Sequence, residues 1–234
     1  AWALLSPLLI LVFYVYLFTI VFPARLGDDP TSLNAMVWIL IGLVTWTFAT
    51  EVMNRAVTAI SAAPSLVQRV VFPIEIIPMQ TVAVQLLGFV IGLVLVLVVQ
   101  AFNAPQTLIG TLWLLPPALL LLGATLVGLA YLLAGLGPFL RDLREIVQFF
   151  SMVGMFIAPV LYLPGTMANL NPLLAAILAI NPFTHLINCQ RDALFHGSIT
   201  APISWIVAAL FASFILVAGT TIYQRVKPHF AEAL

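Results

Sequence analysis

Apolar runs, each about long enough to cross a bilayer, alternate with short polar breaks along this chain. A helix needs about 20 apolar residues to cross the hydrocarbon. Residues 2–22 carry no charge and form the first such run. Arg25, Gly27, Asp28, Asp29 and Pro30 then make a polar, turn-rich loop. A second span is expected over 33–57, with Glu51 and Arg55 near its end. Residues 59–75 break the pattern: small residues come first, then Pro64, Gln68, Arg69 and Pro73, which predicts an interfacial or cytoplasmic connection containing a short helix. No charge occurs from Ile76 to Leu140, a stretch too long for one crossing. Asn103, Ala104 and Pro105 supply its turn, so spans are expected over 77–101 and 111–133. Pro116 and Pro117 would then fall in the first turns of the latter, where proline is best tolerated. The charged stretch RDLRE at 141–145 marks a return to water, a fifth span follows over 146–163, and the last covers 202–223. Between these two lies 164–201, with an apolar stretch at 173–180 flanked by Asn171-Pro172 and Asn181-Pro182. Too short to cross, it predicts a re-entrant hairpin or two short helices at the outer membrane surface.

The pattern therefore predicts an all-α, polytopic membrane protein. It has six spans in one transmembrane domain over 1–234, a cytoplasmic connection at 59–75 and short outer helices within 164–201. Composition agrees: the 234 residues are 63% hydrophobic and 7% charged, against about 25% charged in a soluble domain. A net charge of +0 argues against a basic face for nucleic acid. Cys189 is the one cysteine, expected as a small buried apolar residue, and His185, His196 and His229 show no metal-ligand spacing. The chain opens inside an apolar run without Met, so a preceding segment is expected. That run exceeds a usual signal h-region and lacks a basic flank.

Six spans put Arg55, Arg69, Arg141, Arg144, Arg225 and Lys227 on one side, and Arg25 and Arg191 on the other. The basic side faces the cytoplasm. Both termini, the 59–75 connection and RDLRE are therefore expected there, with 164–201 outside.

Glu51 and Arg55 stand four apart in the favourable order for an ion pair. They read as an interfacial pair or as a strut fixing the connection to its span; a proton relay is the third reading, disfavoured for a lone carboxylate so near the interface. Trp2, Phe13, Tyr14, Tyr16 and Phe18 enrich the first span in aromatics, and Phe149, Phe150 and Phe156 the fifth, with Tyr162 at its outer end. Rings of this kind serve packing or an interfacial belt, and they also stack on sugar faces. Gly88 and Gly92 form a GxxxG that permits close helix packing. Arg191 and Asp192 are adjacent charges that either sit in water or organise an outer gate. No G-x-x-x-x-G-K-[ST], G-x-S-x-G or zinc motif occurs, so any ATP driving this protein is expected on another chain.

Four stretches carry a family resemblance. RVVFPIEIIPMQ at 69–80 resembles the "fPxEilP" opening of span three in type-2 ABC exporter permeases for polysaccharides, those of O-antigen, capsule and teichoic acid. AWALLSPLL at 1–9 is similar to that family's opening of span one. FLRDLREIVQFFSMVGMFIAPVLY at 139–162 is similar to its entry to span five, and NPFTHLINCQRDALFHG at 181–197 to its outer connection. The resemblance implies a homodimer in the bacterial inner membrane that moves a lipid-linked glycan, with ATP and Mg bound by a separate ABC ATPase subunit. It also implies a coupling helix at 59–72, and Ser65, Leu66, Gln68, Arg69, Phe72 and Glu75 are expected to carry that contact. Spans one and five would line the path through Phe13, Tyr14, Tyr16, Phe18, Phe149, Phe150, Phe156 and Tyr162. Asn181, Pro182, Arg191 and Asp192 would belong to an outer gate. The family's amphipathic helix before span one is absent here, in keeping with a missing segment. The alternatives are a type-2 ABC exporter of a small lipophile, a membrane-embedded transferase with Glu51 as its one candidate acid, and an ATP-independent channel or scaffold.

Overall fold

The computed structural model describes residues 32–64, 73–163 and 171–230, together with Leu9, Val12, Phe13 and Tyr16 of the first apolar run. Among the described residues there is no strand, and the fold is all-α. The helices are α1 (Ser32–Ala59), α2 (Ile76–Asn103), α3 (Leu108–Leu136), α4 (Leu143–Ile157), α5 (Pro172–Ile180), α6 (Pro182–Arg191) and α7 (Pro202–Val226). A 3-10 turn, Pro105–Thr107, leads into α3, a π-helical turn, Asp192–His196, continues α6, and a 3-10 turn, Lys227–His229, follows α7.

Lipid offers the backbone no hydrogen bonds, so an apolar run must satisfy its own amides, and a helix does this within one segment. Among the described residues, four regions are long and apolar enough to cross a membrane: Leu33–Ala59, Ile76–Asn103, Pro105–Leu136 and Pro202–His229. The protein is thus a multi-pass membrane protein. The extremes of hydropathy and burial among these four are opposed. Leu33–Ala59 has the lowest mean hydropathy, 1.7, and is the most buried; Ile76–Asn103, at 3.0, is among the least buried. Helices that meet lipid must be apolar on their outer faces. The one enclosed by protein can keep Thr45, Thr50 and Asn54. Thr45 and Asn54 bond back to α1 carbonyls one turn earlier. On α7 the exposed apolar positions Ile203, Ile206, Leu210, Phe214 and Val217 recur every three or four residues, a stripe suited to acyl chains.

Two elements depart from the sequence expectation. The third long helix begins at Leu108, so Pro116 and Pro117 lie inside it and not in its first turns. Each removes one amide from the helix ladder, a loss the surrounding helices of a membrane protein tolerate. The span expected over 146–163 forms a 15-residue helix, α4, that ends at Ile157. At 1.5 Å per residue α4 is about 22 Å long, short of the ~30 Å hydrocarbon. Pro159 disfavours helix at the residue before it, and the chain from Ala158 onward turns away from helical geometry. The first expected span, 2–22, and residues 65–72 of the connection lie outside the described residues, apart from the four named positions.

The chain forms two compact units. The first comprises Ala1–Thr47, Leu87–Leu120 and Met155–Ala208. In it the two Asn-Pro pairs prove to be helix starts. Asn171 and Asn181 each accept, through the side chain, the amide two residues on, at 3.0 Å, with proline at the first helical position. The 173–180 stretch is accordingly one of two short helices. Gly197 ends the π-helical turn at φ +63°, and its carbonyl lies where a Cβ on Gly110 would stand, 1.7 Å away. The second unit comprises Phe48–Leu86, Leu121–Gly154 and Ala209–Leu234. Its core gathers Ile60, Ile77, Ala134, Tyr223 and Phe230.

Candidate functional site

In the first unit, α6 and the π-helical turn that continues it carry Arg191 and Asp192 into the interior, where each is 1% exposed. The solvated alternative for this pair is thereby removed. The Arg191 guanidinium lies 4.1 Å from the Trp38 ring centroid. Its Nη2 donates to the carbonyls of Pro159 at 2.8 Å and Val160 at 3.1 Å. Trp38 Nε1 donates to the Tyr162 carbonyl at 2.9 Å. These carbonyls belong to the stretch after α4 that has left the helix. A cation and an indole together hold a backbone that Pro159 released. Stacking on Trp38 restricts the plane of the guanidinium, and arginine suits this better than lysine because its donors are fixed in a fork. Nε and Nη1 of Arg191 are buried without a partner. Phe195 and His196 meet the Trp38 ring edge-on, with centroids 5.4 Å and 5.8 Å away.

Asp192 has a separate set of partners. Its carboxylate accepts from Thr200 Oγ1, from the Ala201 amide at 3.2 Å and from Trp205 Nε1 at 2.9 Å. It thereby fixes the entry to α7. Asp192→Asn keeps the volume but turns an amide N–H₂ toward donors. A loss of about 1–3 kcal/mol is expected, read as a lower unfolding midpoint in detergent; an unchanged midpoint would contradict the assignment. Nearby, His185 links Ser204 Oγ at 3.1 Å and the Ala179 carbonyl at 2.9 Å. Cys189 is a buried free thiol, pushed up to about 12 by burial, which keeps it unreactive at neutral pH. Tyr162 of the expected path is half-buried and takes part through its backbone carbonyl.

In the second unit Glu51 and Arg55 lie on α1 with Nε 3.7 Å from Oε2, both side chains more than half exposed. A pair so exposed contributes about 0–1 kcal/mol. Gln85 Nε2 also donates to Glu51, at 3.4 Å. A contact absent from the sequence reading joins α1 to α4: Asn54 Nδ2 donates to Ser151 Oγ at 2.8 Å.

Glu75 is the expected coupling residue that the structure describes; Ser65, Leu66, Gln68, Arg69 and Phe72 lie outside the described residues. The Glu75 carboxylate pairs with Lys227. Tyr131 Oη donates to the Glu75 carbonyl at 3.0 Å, and Tyr223 Oη to the Ile74 carbonyl at 2.9 Å. The two rings meet edge-on, with centroids 5.2 Å apart. The exit of the connection is thus tied by two hydroxyls and an ion pair to α3 and to the end of α7. Sequence reasoning passed over Tyr131 and Tyr223. The available signal was a pair of tyrosines, each with a polar tip to satisfy, near the ends of apolar runs.

The hydrogen bond from Lys227 holds the Glu75 carboxyl below its ordinary value of 4.5. A carboxyl depressed on folding stabilises above its unfolded pKa and loses that contribution as pH falls through the folded value. The pair is over a third exposed, so a small effect is expected. Glu75→Gln should lower the midpoint slightly at neutral pH, and its difference from the parent should close as pH falls through the depressed folded value of the carboxyl. A gap that persists in acid would show that something other than charge holds this exit.

Of the remaining expected path residues, Phe13 and Tyr16 are exposed on helical positions, and Tyr14 and Phe18 lie outside the described residues. On α4, Phe149 and Phe156 share an exposed face with Ile146 and Met152, while Phe150 is half-buried.

The model of the ABC-2 type transporter family matches residues 1–195. An O-antigen export system permease protein, RfbA, from Myxococcus xanthus is 27% identical over 237 residues, covering 100% of this chain and 86% of that protein. A protein of the same name from Klebsiella pneumoniae is 24% identical over 236 residues, with the same coverage of each.

Proposed function

The chain belongs to the ABC-2 type transporter family, and we propose that it is the membrane-spanning permease subunit of an ATP-driven exporter of lipid-linked polysaccharide. The observation that carries this reading is similarity along the whole chain to permeases named for O-antigen export. It favours a glycan over a small lipophile as cargo.

The finer features follow as parts of the same proposal. ATP and Mg bind on a separate ATPase subunit. The permease lies in the bacterial cytoplasmic membrane with six spans and both termini inside. Two copies form the conduit, because six helices of one chain enclose little room for a polymer and a two-fold seam supplies it. The conduit spares a polar glycan the desolvation it would meet in hydrocarbon. Spans one and five line it with Phe13, Tyr14, Tyr16, Phe18, Phe149, Phe150, Phe156 and Tyr162. The connection at 59–72 docks on the ATPase through Ser65, Leu66, Gln68, Arg69 and Phe72. Glu75, held to α3 and α7, passes the movement into the long helices. Asn181, Pro182, Arg191 and Asp192 belong to the outer gate, where the clamp on Pro159–Tyr162 sets the path of the chain beyond α4.

The test is a mild-detergent pull-down of the tagged chain followed by an ATPase assay of what accompanies it. A co-purifying nucleotide-binding subunit is expected. Arg69→Ala with Phe72→Ala should cut glycan export at least tenfold without unfolding the permease. Isolation of the chain alone, or full export and ATPase coupling by that double variant, would defeat the docking scheme.

A further inference from the structure

Where α1 ends and α4 begins, the second unit contains a cleft of about 400 Å³ lined by Val57, Thr58, Ser61, Leu140, Arg141 and Arg144, among others. Arg144 lies in the first turn of α4 and Arg141 two residues before that helix, and both line this cleft. Both are exposed, and among the described residues neither is held by an ion pair or hydrogen bond. Their acidic neighbours Asp142 and Glu145 do not line the cleft. Two arginines therefore line one small volume, and among the described residues no acidic side chain lines it. They also stand at a helix N-terminus, where the macrodipole opposes cations and favours an anion. Ser61 and Thr58 line the cleft as well, and Thr58 Oγ1 donates to the Arg55 carbonyl at 3.3 Å. Buried Val57 and half-exposed Leu140 give it apolar parts.

We propose that this cleft binds the phosphate of a lipid headgroup at the cytoplasmic surface. Two forked cations and a hydroxyl suit a tetrahedral oxyanion. The apolar parts suit the stem that follows a headgroup, and the cleft's position at the ends of apolar helices places it where headgroups lie. A concave volume of this size admits a headgroup better than a protruding segment of a protein partner. The phosphate has two available sources: a bilayer phospholipid, or the diphosphate of a polyprenyl-linked glycan. The second rests on the export reading above; the site itself does not.

The test titrates the purified chain in detergent with phosphatidylglycerol, a polyprenyl diphosphate and, as the phosphate-free control, diacylglycerol, with retention read by native mass spectrometry. Arg141→Gln with Arg144→Gln is expected to weaken retention of both phosphate-bearing lipids at least fivefold and to leave diacylglycerol unchanged. A second measurement needs no variant: phosphate-bearing lipid should protect Arg141 and Arg144, but not Arg225, from phenylglyoxal. Polyprenyl diphosphate held tenfold more tightly than phosphatidylglycerol would assign the cleft to the cargo. Equal retention would assign it to bilayer phospholipid, and that arm stands even if no ATPase partner is found. Equal binding by variant and parent, or protection that appears only when an ATPase subunit is added, would overturn the proposal.

Discussion

Arg191→Ala is expected to destabilise the protein by on the order of 4–8 kcal/mol, as the sum of two losses. The carbonyls of Pro159 and Val160 lose their buried donor, and each unsatisfied group costs about 1–3 kcal/mol. Trp38 loses the cation over its ring, worth about 2 kcal/mol in a desolvated site. Arg191→Lys separates charge from geometry. An ammonium keeps the charge but cannot lie flat on Trp38 while donating to two carbonyls, so this variant should recover less than half of the loss. The measurement is the unfolding midpoint of the purified protein, alongside its abundance in the membrane. A midpoint for Arg191→Ala within error of the parent would show that the backbone after α4 holds itself, and the outer-gate role proposed for the clamp would fall.

Gly219→Val should abolish stable folding, the largest effect expected in the second unit. A Cβ at Gly219 would stand 2.1 Å from the Gly128 carbonyl oxygen, and one at Gly128 would stand 2.6 Å from the Ile215 backbone. Both obstacles are backbone, so no rotamer change relieves them and α3 and α7 must separate. Helices in lipid associate through close packing, with little hydrophobic gain to compensate a lost contact. Even Gly219→Ala should cost more than ~2 kcal/mol, in the range of overpacked cores. Gly123→Ala is the internal control: a Cβ there meets nothing within 4 Å. It should be neutral or stabilise by up to about 1 kcal/mol through helix propensity. If Gly123→Ala and Gly219→Ala gave equal losses of membrane abundance, the crossing would not depend on these glycines.

These two predictions also separate what could be read along the chain from what could not. The long helices follow from local content. Residues 33–57, 77–101, 111–133 and 202–223 were expected as spans, and helices cover all four, because lipid leaves an apolar run no other way to satisfy its amides. The Asn-Pro pairs marked breaks for the same local reason, since a side-chain cap and a ring without an N–H act within two residues. The errors are local too. Pro116 and Pro117 drew a helix start toward themselves, although α3 continues past them toward Leu108. Pro159 was passed over as a stop because the apolar pattern runs on without a polar break.

The site was less legible. GxxxG at Gly88 and Gly92 is a sequence signal for close packing, yet the glycine crossing in the second unit joins Gly128 to Gly219 on different helices. Nothing in the spacing of Arg191 and Trp38, or of Tyr131 and Glu75, announces their contacts. The family resemblance pointed to 181–197 as an outer element, but it could not say that Arg191 is buried there on an indole.

Sequence alone determined an all-α membrane protein, its main helices, its breaks and its family, because apolar periodicity, capping and proline act over a few residues. The tertiary structure decided which charges are buried, which carbonyls Arg191 and the two tyrosines hold, and which glycines touch. Those outcomes depend on contacts between residues far apart in the chain, where close packing and the cost of an unsatisfied buried group select the partner.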